Sequence, residues 1–213
     1  MAQTAKKDEK QYQLYRDALN LFAEYGYKKT TVADVADRLG MTKGNIYFYV
    51  KNKKELYHRT IHWALTQWQD HVRSAVAGQT TAPDRFNAMA EAALGYIEGN
   101  KVFRRLLIRD PEIFTLDRDR DRFPEANRAA RQIIRDILDQ GIREGAFTVR
   151  DPEAATEYLF SIYMMFLIQT FVYLDKKDFR RIFASALALN LGGLSSPRPP
   201  KETSHDRCHV KGP

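Results

Sequence analysis

The run Thr42-Lys43-Gly44-Asn45 carries the most legible chemistry in this chain. A lysine can donate to O6 and N7 of guanine, and an asparagine can pair with N6 and N7 of adenine, so both residue types read base edges in a major groove. Gly44 lets the backbone come close to such a groove. Tyr47 and Tyr49 follow, with hydroxyls that can bond phosphate oxygens. Lys51, Lys53 and Lys54 come next, around the start of a helix, where charge and helix dipole both favour a phosphate.

The flanking residues are those needed to hold such a segment. Two short helices joined by a glycine-containing turn make a helix-turn-helix. Here the first is expected over about 31–39, capped by Thr30 or Thr31, with Val32, Val35, Ala36 and Leu39 facing inward. Ala36 is small where two helices approach, and Gly40 can take the positive φ of a sharp reversal. Thr42 caps the second, through about Tyr49. A helix over 10–25 with a stripe of Leu14, Ala18, Leu21, Phe22 and Tyr25, stopped by Gly26, precedes the pair. Asn52, with Glu55 three residues on as in a capping box, opens a long fourth helix bearing Tyr57, Ile61, Ala64, Trp68, Val72 and Val76 on one side. The same spacing also serves as a packing motif on a helical protein that never meets DNA, and aromatics such as Phe48 are more often packed than base-reading.

Residues 14–56 resemble the N-terminal domain of TetR-family regulators. The likeness rests on Ala18, Leu21-Phe22, Gly26-Tyr27, Thr30-Thr31-Val32, Val35-Ala36, Leu39-Gly40-Met41, Thr42 to Tyr47 and Lys53-Lys54-Glu55-Leu56. Val50 departs from it, since many members carry Phe there. The resemblance implies that Thr42, Lys43, Gly44 and Asn45 contact bases and that Thr31, Tyr47, Tyr49 and Lys53 contact the backbone. It also implies a long linker helix, a ligand cavity, and dimerisation through the last two helices.

Composition agrees. The 213 residues, 44% hydrophobic and 29% charged, suffice for a real core. No alternating strand pattern stands out, so the fold class is all-α. It comprises a three-helix DNA-binding domain over 1–52 (1–9 a flexible arm), a helical ligand-binding and dimerisation domain over 53–194, and a disordered polar tail over 195–213. Of the formal charge of +7, residues 1–57 contribute most, with 11 Lys/Arg against 7 Asp/Glu. A basic first quarter suits a phosphate-binding module. The sole cysteine, Cys208, cannot form an intramolecular disulfide, Met1 to Lys10 lacks a signal-like apolar core, and 158–174 is interrupted by polar residues. The expectation is a cytoplasmic, nucleoid-associated protein with no membrane partner.

Beyond the fourth helix, Pro83 opens a helix to about Gly99, and a short one follows to Arg109. Asp117 to Arg122 is a charged loop or helix start. Further helices cover 124–144, 152–174 and 178–191. The ligand cavity is expected to draw on Trp68, Phe86, Met89, Leu94, Ile97, Phe103 and Leu107, with Phe114, Ile134, Ile137, Phe160, Met164 and Met165 from later helices, though each is equally a core residue. Such a lining suits an apolar or aromatic effector. Arg104, Arg105 and Arg109 can hold the acid or phosphate of a fatty acid or acyl-CoA, but surface charges facing Asp117, Asp119 and Asp121 are the preferred reading. The dimer interface is expected at Phe160, Tyr163, Leu167 and Phe171 on one helix and Phe179, Ile182, Phe183, Ala186 and Leu187 on the next.

The expected function is therefore a ligand-responsive transcriptional regulator, by the family's usual mode a repressor. It binds a pseudo-palindromic operator as a homodimer and uses no cofactor. Two other readings stay open. One is a helical interaction module without DNA. The other is a metal-dependent enzyme: His58 and His62 with Glu55, or His205, Cys208 and His209 in the tail, have ligand types, but no P-loop, dinucleotide fingerprint, nucleophile elbow or H-E-x-x-H is present.

Overall fold

The computed structural model describes residues 2–115, 117–172 and 176–195, with 2–8, 118, 169–172 and 176–178 described by backbone alone. All regular structure among these residues is helical. In chain order the helices are α1 (Ala2–Lys29), α2 (Val32–Arg38), α3 (Lys43–Tyr47), α4 (Lys53–Ala77), α5 (Ala82–Gly99), α6 (Lys101–Arg109), α7 (Pro124–Arg143), α8 (Pro152–Val172) and α9 (Lys176–Ser195). Two 3-10 turns, Pro111–Ile113 and Arg118–Arg120, lie between α6 and α7. The second occupies the charged stretch expected to be a loop or helix start.

The first four helices follow their sequence signals closely, with two differences. Helix α1 begins at Ala2, so helical backbone covers the stretch expected to be a flexible arm. It also runs past Gly26, but only in name: Gly26 has φ 80° and ψ 166°, which breaks the helix there and leaves Tyr27–Lys29 as a separate turn. The Thr30 hydroxyl, fully buried, donates to the carbonyls of Leu21 and Gly26 and ties that turn down. Thr31 then caps α2, accepting from the Asp34 amide while the Asp34 carboxylate accepts from the Thr31 amide at 2.7 Å. Gly40, at φ 61°, makes the reversal. Thr42 caps α3 by accepting from the Asn45 amide. Asn52 caps α4 as expected, but Glu55 reaches the Lys51 amide instead of closing the box on Asn52.

Leu14, Ala18, Leu21 and Phe22 of α1 meet Val35, Ala36, Ile46, Val50 and Leu56 in a closed core. Each of the larger side chains among them contributes roughly 1.5–3 kcal/mol when fully buried, which is what keeps two helices as short as α2 and α3 folded. Val50 is itself buried, so the smaller side chain is accommodated without opening the core.

Helix α4 is the pillar that joins this head to the rest. Its 25 residues give a length of about 37 Å. Leu56, Tyr57 and Ile61 belong to the head, and Leu65, Trp68 and Val72 face the second domain. There α4 packs chiefly on α5, α7 packs on both α5 and α8, and α9 lies against α5 and α8. Trp68 is fixed by an indole hydrogen bond to the Ala93 carbonyl (3.0 Å) and by ring contacts with Phe103, Phe114 and Tyr163.

Near the end of α7 the ring of Phe147 lies on the bare Cα of Gly141, and the Gly141 carbonyl accepts from the amides of Ala146 and Phe147. A Cβ at Gly141 would overlap the Phe147 ring. Gly141→Ala is therefore expected to lower stability by about 1–3 kcal/mol despite alanine's better helix propensity. Urea denaturation checks this, and an unchanged or higher midpoint would contradict it.

Candidate functional site

Helix α3 turns one face to solvent and one to the core. Thr42, Lys43, Gly44 and Asn45 are all exposed, whereas Ile46 is fully buried against the head. The turn of a helix that buries Ile46 thus points its preceding residues outward, as a groove-reading element needs. Tyr47 is exposed and Tyr49 half-buried. Thr31 is exposed at the start of α2.

Two residues depart from the sequence reading. Lys53 is half-buried, with Nζ donating to the Lys28 carbonyl (3.2 Å) and lying 4.5 Å from the centre of the Tyr27 ring. It therefore braces the end of α1 as well as standing near the candidate backbone contacts. Phe48, expected to be packed, is 87% exposed, more than any other large apolar side chain described. It follows Tyr47 at the C-cap of α3. Alternation of exposure with the helical period does carry this signal: the buried neighbours are Ile46 and Val50, leaving 47 and 48 outside.

A polar junction connects this head to the second domain, and the sequence pattern did not reveal it. Arg109, at the end of α6, donates to the carbonyls of Ala23 (2.8 Å) and Glu24 (2.6 Å) in α1, where helix hydrogen bonding fails ahead of Gly26. Arg109 is thus neither a ligand-binding cation nor a partner of the acidic loop. Next to it, Asp110 accepts from the Tyr57 hydroxyl of α4 at 2.6 Å and from Arg122 Nη2 at 2.8 and 2.9 Å. Burial and the adjacent Asp110 carboxylate push the Tyr57 phenol far above its ordinary range. Tyr57 also meets the rings of Phe22 and Tyr27 edge-on.

Between α4, α5, α7, α8 and α9 lies an apolar cavity of about 90 Å³. Of the expected lining, Trp68, Phe86, Met89, Phe114, Ile134, Phe160 and Met164 are there. Leu94 instead packs with Phe179 and Phe183, and Ile97, Phe103, Leu107 and Ile137 are core. Met165 faces solvent. Helical spacing marks apolar faces but cannot separate a cavity wall from a filled core one turn away. The space also takes in residues not expected there, among them Gln69, Asn127, Tyr163 and Asn190.

The expected dimer residues mostly turn inward. Phe160, Tyr163, Phe183, Ala186 and Leu187 line the cavity, and Leu167 and Phe179 are buried in their own chain. Ile182 reaches the surface, and the Phe171 side chain lies outside the described residues. The apolar residues that α8 and α9 do expose are Tyr158 and Met165, and Ile182 and Leu189. Arg104 and Arg105 line no part of the cavity. His58 stacks on Phe123, with Nε2 3.1 Å from the Arg122 carbonyl. No group of three His, Cys, Asp or Glu among the described residues is placed to hold a metal. The expected tail over 195–213, with His205, Cys208 and His209, lies outside them from residue 196 onward. No helix among the described residues is long and apolar enough to cross a membrane.

A capped helix-turn-helix with an outward recognition helix, joined by one long helix to a cavity-bearing helical domain, defines a DNA-binding transcriptional regulator. Residues 14–60 match the family model described as "Bacterial regulatory proteins, tetR family". The repressor KstR2 of Mycobacterium tuberculosis is 30% identical over 138 residues, covering 61% of this chain and 65% of that one. The fatty acid metabolism regulator protein of Bacillus subtilis is 23% identical over 89% of this chain and 97% of its own. The crystal structure of Bacillus subtilis FadR in complex with stearoyl-CoA superposes with a TM-score of 0.70 at 22% identity, over 86% of this chain and 98% of that one. Over residues 14–60 the chain belongs to the tetR family of bacterial regulatory proteins.

Two outcomes are expected from this geometry. Removing the Tyr57 hydroxyl (Tyr57→Phe) costs about 1–2 kcal/mol of stability, measured by denaturant unfolding, because Asp110 loses one of its donors. Phe48→Ala leaves the unfolding midpoint within about 0.5 kcal/mol of wild type yet weakens binding to selected duplex DNA. Equal affinity of the two proteins in a fluorescence anisotropy titration would remove Phe48 from the interface.

Proposed function

We propose that this protein is a ligand-responsive transcriptional repressor. It binds a pseudo-palindromic operator as a homodimer and leaves it when a small apolar or amphipathic effector enters the cavity. The observation that carries the reading is the exposure of all four residues Thr42 to Asn45 on a helix whose other side is locked into the core. A surface that presents a lysine and an asparagine beside a close-approaching glycine suits base edges better than solvent. Thr31, Tyr47, Tyr49 and Lys53 would bond phosphates around them.

The dimer supplies the second recognition helix, one turn of DNA away at about 34 Å. Its contact surface is the exposed apolar set Tyr158 and Met165 with Ile182 and Leu189, the last 77% exposed. A second copy of the same face is the occupant that a two-fold operator requires. Glu91 and Glu98 of α5 hold Arg180 and so brace α9 against its own domain.

Release follows from the polar junction. Phe114 lines the cavity and lies four residues after Asp110. A ligand that displaces Phe114 pulls on Asp110 and Arg109, and through them on Tyr57 of α4 and the carbonyls of α1. The two heads then change separation. Such a ligand must prefer the released state, since only differential affinity shifts the balance. The proteins named above are consistent with an apolar effector: one is a regulator of fatty acid metabolism, and one was crystallised with stearoyl-CoA.

The test begins with selection of duplexes from genomic DNA by purified protein. Wild type is expected to retain a two-fold sequence, and Lys43→Ala and Tyr47→Ala to lose it. Removing a phosphate contact should flatten the salt dependence by about one counterion. Failure to enrich any sequence would sink the operator reading. Separately, Leu189→Arg is expected to give a monomer by light scattering with DNA affinity reduced. A dimer that persists would move the interface elsewhere.

A further inference from the structure

None of the described residues that line the cavity carries a charge. Arg131, which stacks on the lining ring of Phe160 at 3.8 Å, pairs with Glu157 at 2.9 Å and is not itself part of the lining. The polar groups inside are all neutral. Gln69 Nε2 donates to the Ala126 carbonyl at 2.6 Å, and Asn127 Nδ2 donates to Asp121. Asn190 also lines the space, on α9, and the Tyr163 hydroxyl stands apart from Gln69 and Asn127. It is half-buried on the cavity wall, has no hydrogen-bond partner among the described residues, and is pushed up in pKa by desolvation. Its ring is fixed by stacking on Trp68, centroids 6.0 Å apart.

An unpaired phenol O–H in an apolar space is costly unless something accepts from it. A hydrocarbon ligand would leave it unpaired. A carboxylate would satisfy it but would lose its water without meeting a cation, which costs more than one hydrogen bond returns. A neutral carbonyl oxygen meets both conditions.

We propose that the buried part of the effector is uncharged and carries a carbonyl group that accepts from Tyr163, as in an ester, thioester, ketone or amide, and that a free carboxylic acid is rejected. This rests on the cavity being the effector site of the regulator proposed above. The same chemistry has two sources, a free carbonyl compound or the acyl part of a thioester whose carrier stays outside, and matched probes separate them.

The experiment measures displacement of the neutral dye N-phenyl-1-naphthylamine from the full-length protein by methyl decanoate, decanoyl-CoA, free CoA and decanoate near neutral pH. Methyl decanoate is expected to displace the dye roughly tenfold more effectively than decanoate. In Tyr163→Phe that advantage should fall by about fivefold to tenfold, with dye affinity unchanged. The ligand-free variant should melt no lower than wild type, because the hydroxyl removed has no partner among the described residues. This rise or constancy in stability, alongside lost ester affinity, separates recognition from a structural role. Displacement by decanoyl-CoA but not by CoA, with the same dependence on Tyr163, assigns the thioester; displacement by the methyl ester alone assigns a free carbonyl compound. The proposal is overturned if decanoate matches the ester, if Tyr163→Phe leaves the ester unaffected, or if no carbonyl probe displaces the dye. It is overturned equally if the dye does not bind, or if cavity-filling Ala130→Trp leaves dye binding intact. No DNA enters the assay, so missing operator binding with intact ester recognition overturns only the regulator reading, and the converse result overturns only this one.

Discussion

The adjacent pair Arg109 and Asp110 is where the two halves of this protein hold each other. Arg109 satisfies α1 carbonyls that the break at Gly26 leaves without helical partners, and Asp110 gathers Tyr57 from α4 and Arg122 from the segment entering α7. Four segments distant in sequence therefore meet at two residues. A backbone carbonyl left unpaired in a partly buried place is costly, and so is a carboxylate stripped of donors. The head cannot rotate freely on α4 without giving up one of these contacts.

That constraint joins a firm small head to the second domain through a few polar contacts. Its own core is short-range and apolar, with Leu14, Phe22, Val35, Ile46 and Leu56 packed around a turn held by Thr30 and Gly40. Packing of this kind moves as one body. The junction, by contrast, is polar, directional and small, resting on a few hydrogen bonds from Arg109, Tyr57 and Arg122. The cavity wall reaches it through Phe114, and α4 reaches the cavity through Trp68. Stiff elements thus stand on either side of a polar joint that links the cavity wall to the head.

Burial divides labour in the second domain in a comparable way. Helix α8 is apolar nearly all round because it serves both a cavity and a surface. Phe160 and Met164 look inward, while Tyr158 and Met165 look out. Helix α9 sends Phe179 and Phe183 in and leaves Ile182 and Leu189 exposed. A helix in this position has few polar sites left for solvent, and that is why its hydrophobicity alone says so little about which face does what.

The sequence alone determined the helix-turn-helix and which residues of its second helix face outward, because caps, glycine turns and apolar stripes are local codes with a fixed period. Thr31, Thr42 and Asn52 cap where expected, Gly26 and Gly40 take positive φ, and Thr42 to Asn45 are exposed. The all-helical class and the long linker helix were legible for the same reason. The tertiary structure alone decided which apolar residues line a cavity, which fill a core and which stay exposed. Leu94, Tyr163 and Met165 were each assigned to the wrong one, since they differ by a single helical turn or by what a distant helix happens to cover. It also decided the role of Arg109, whose acceptors lie 85 and 86 residues away in the chain. Local periodicity states which side of a helix is apolar, and only the packing of other helices states what that side meets.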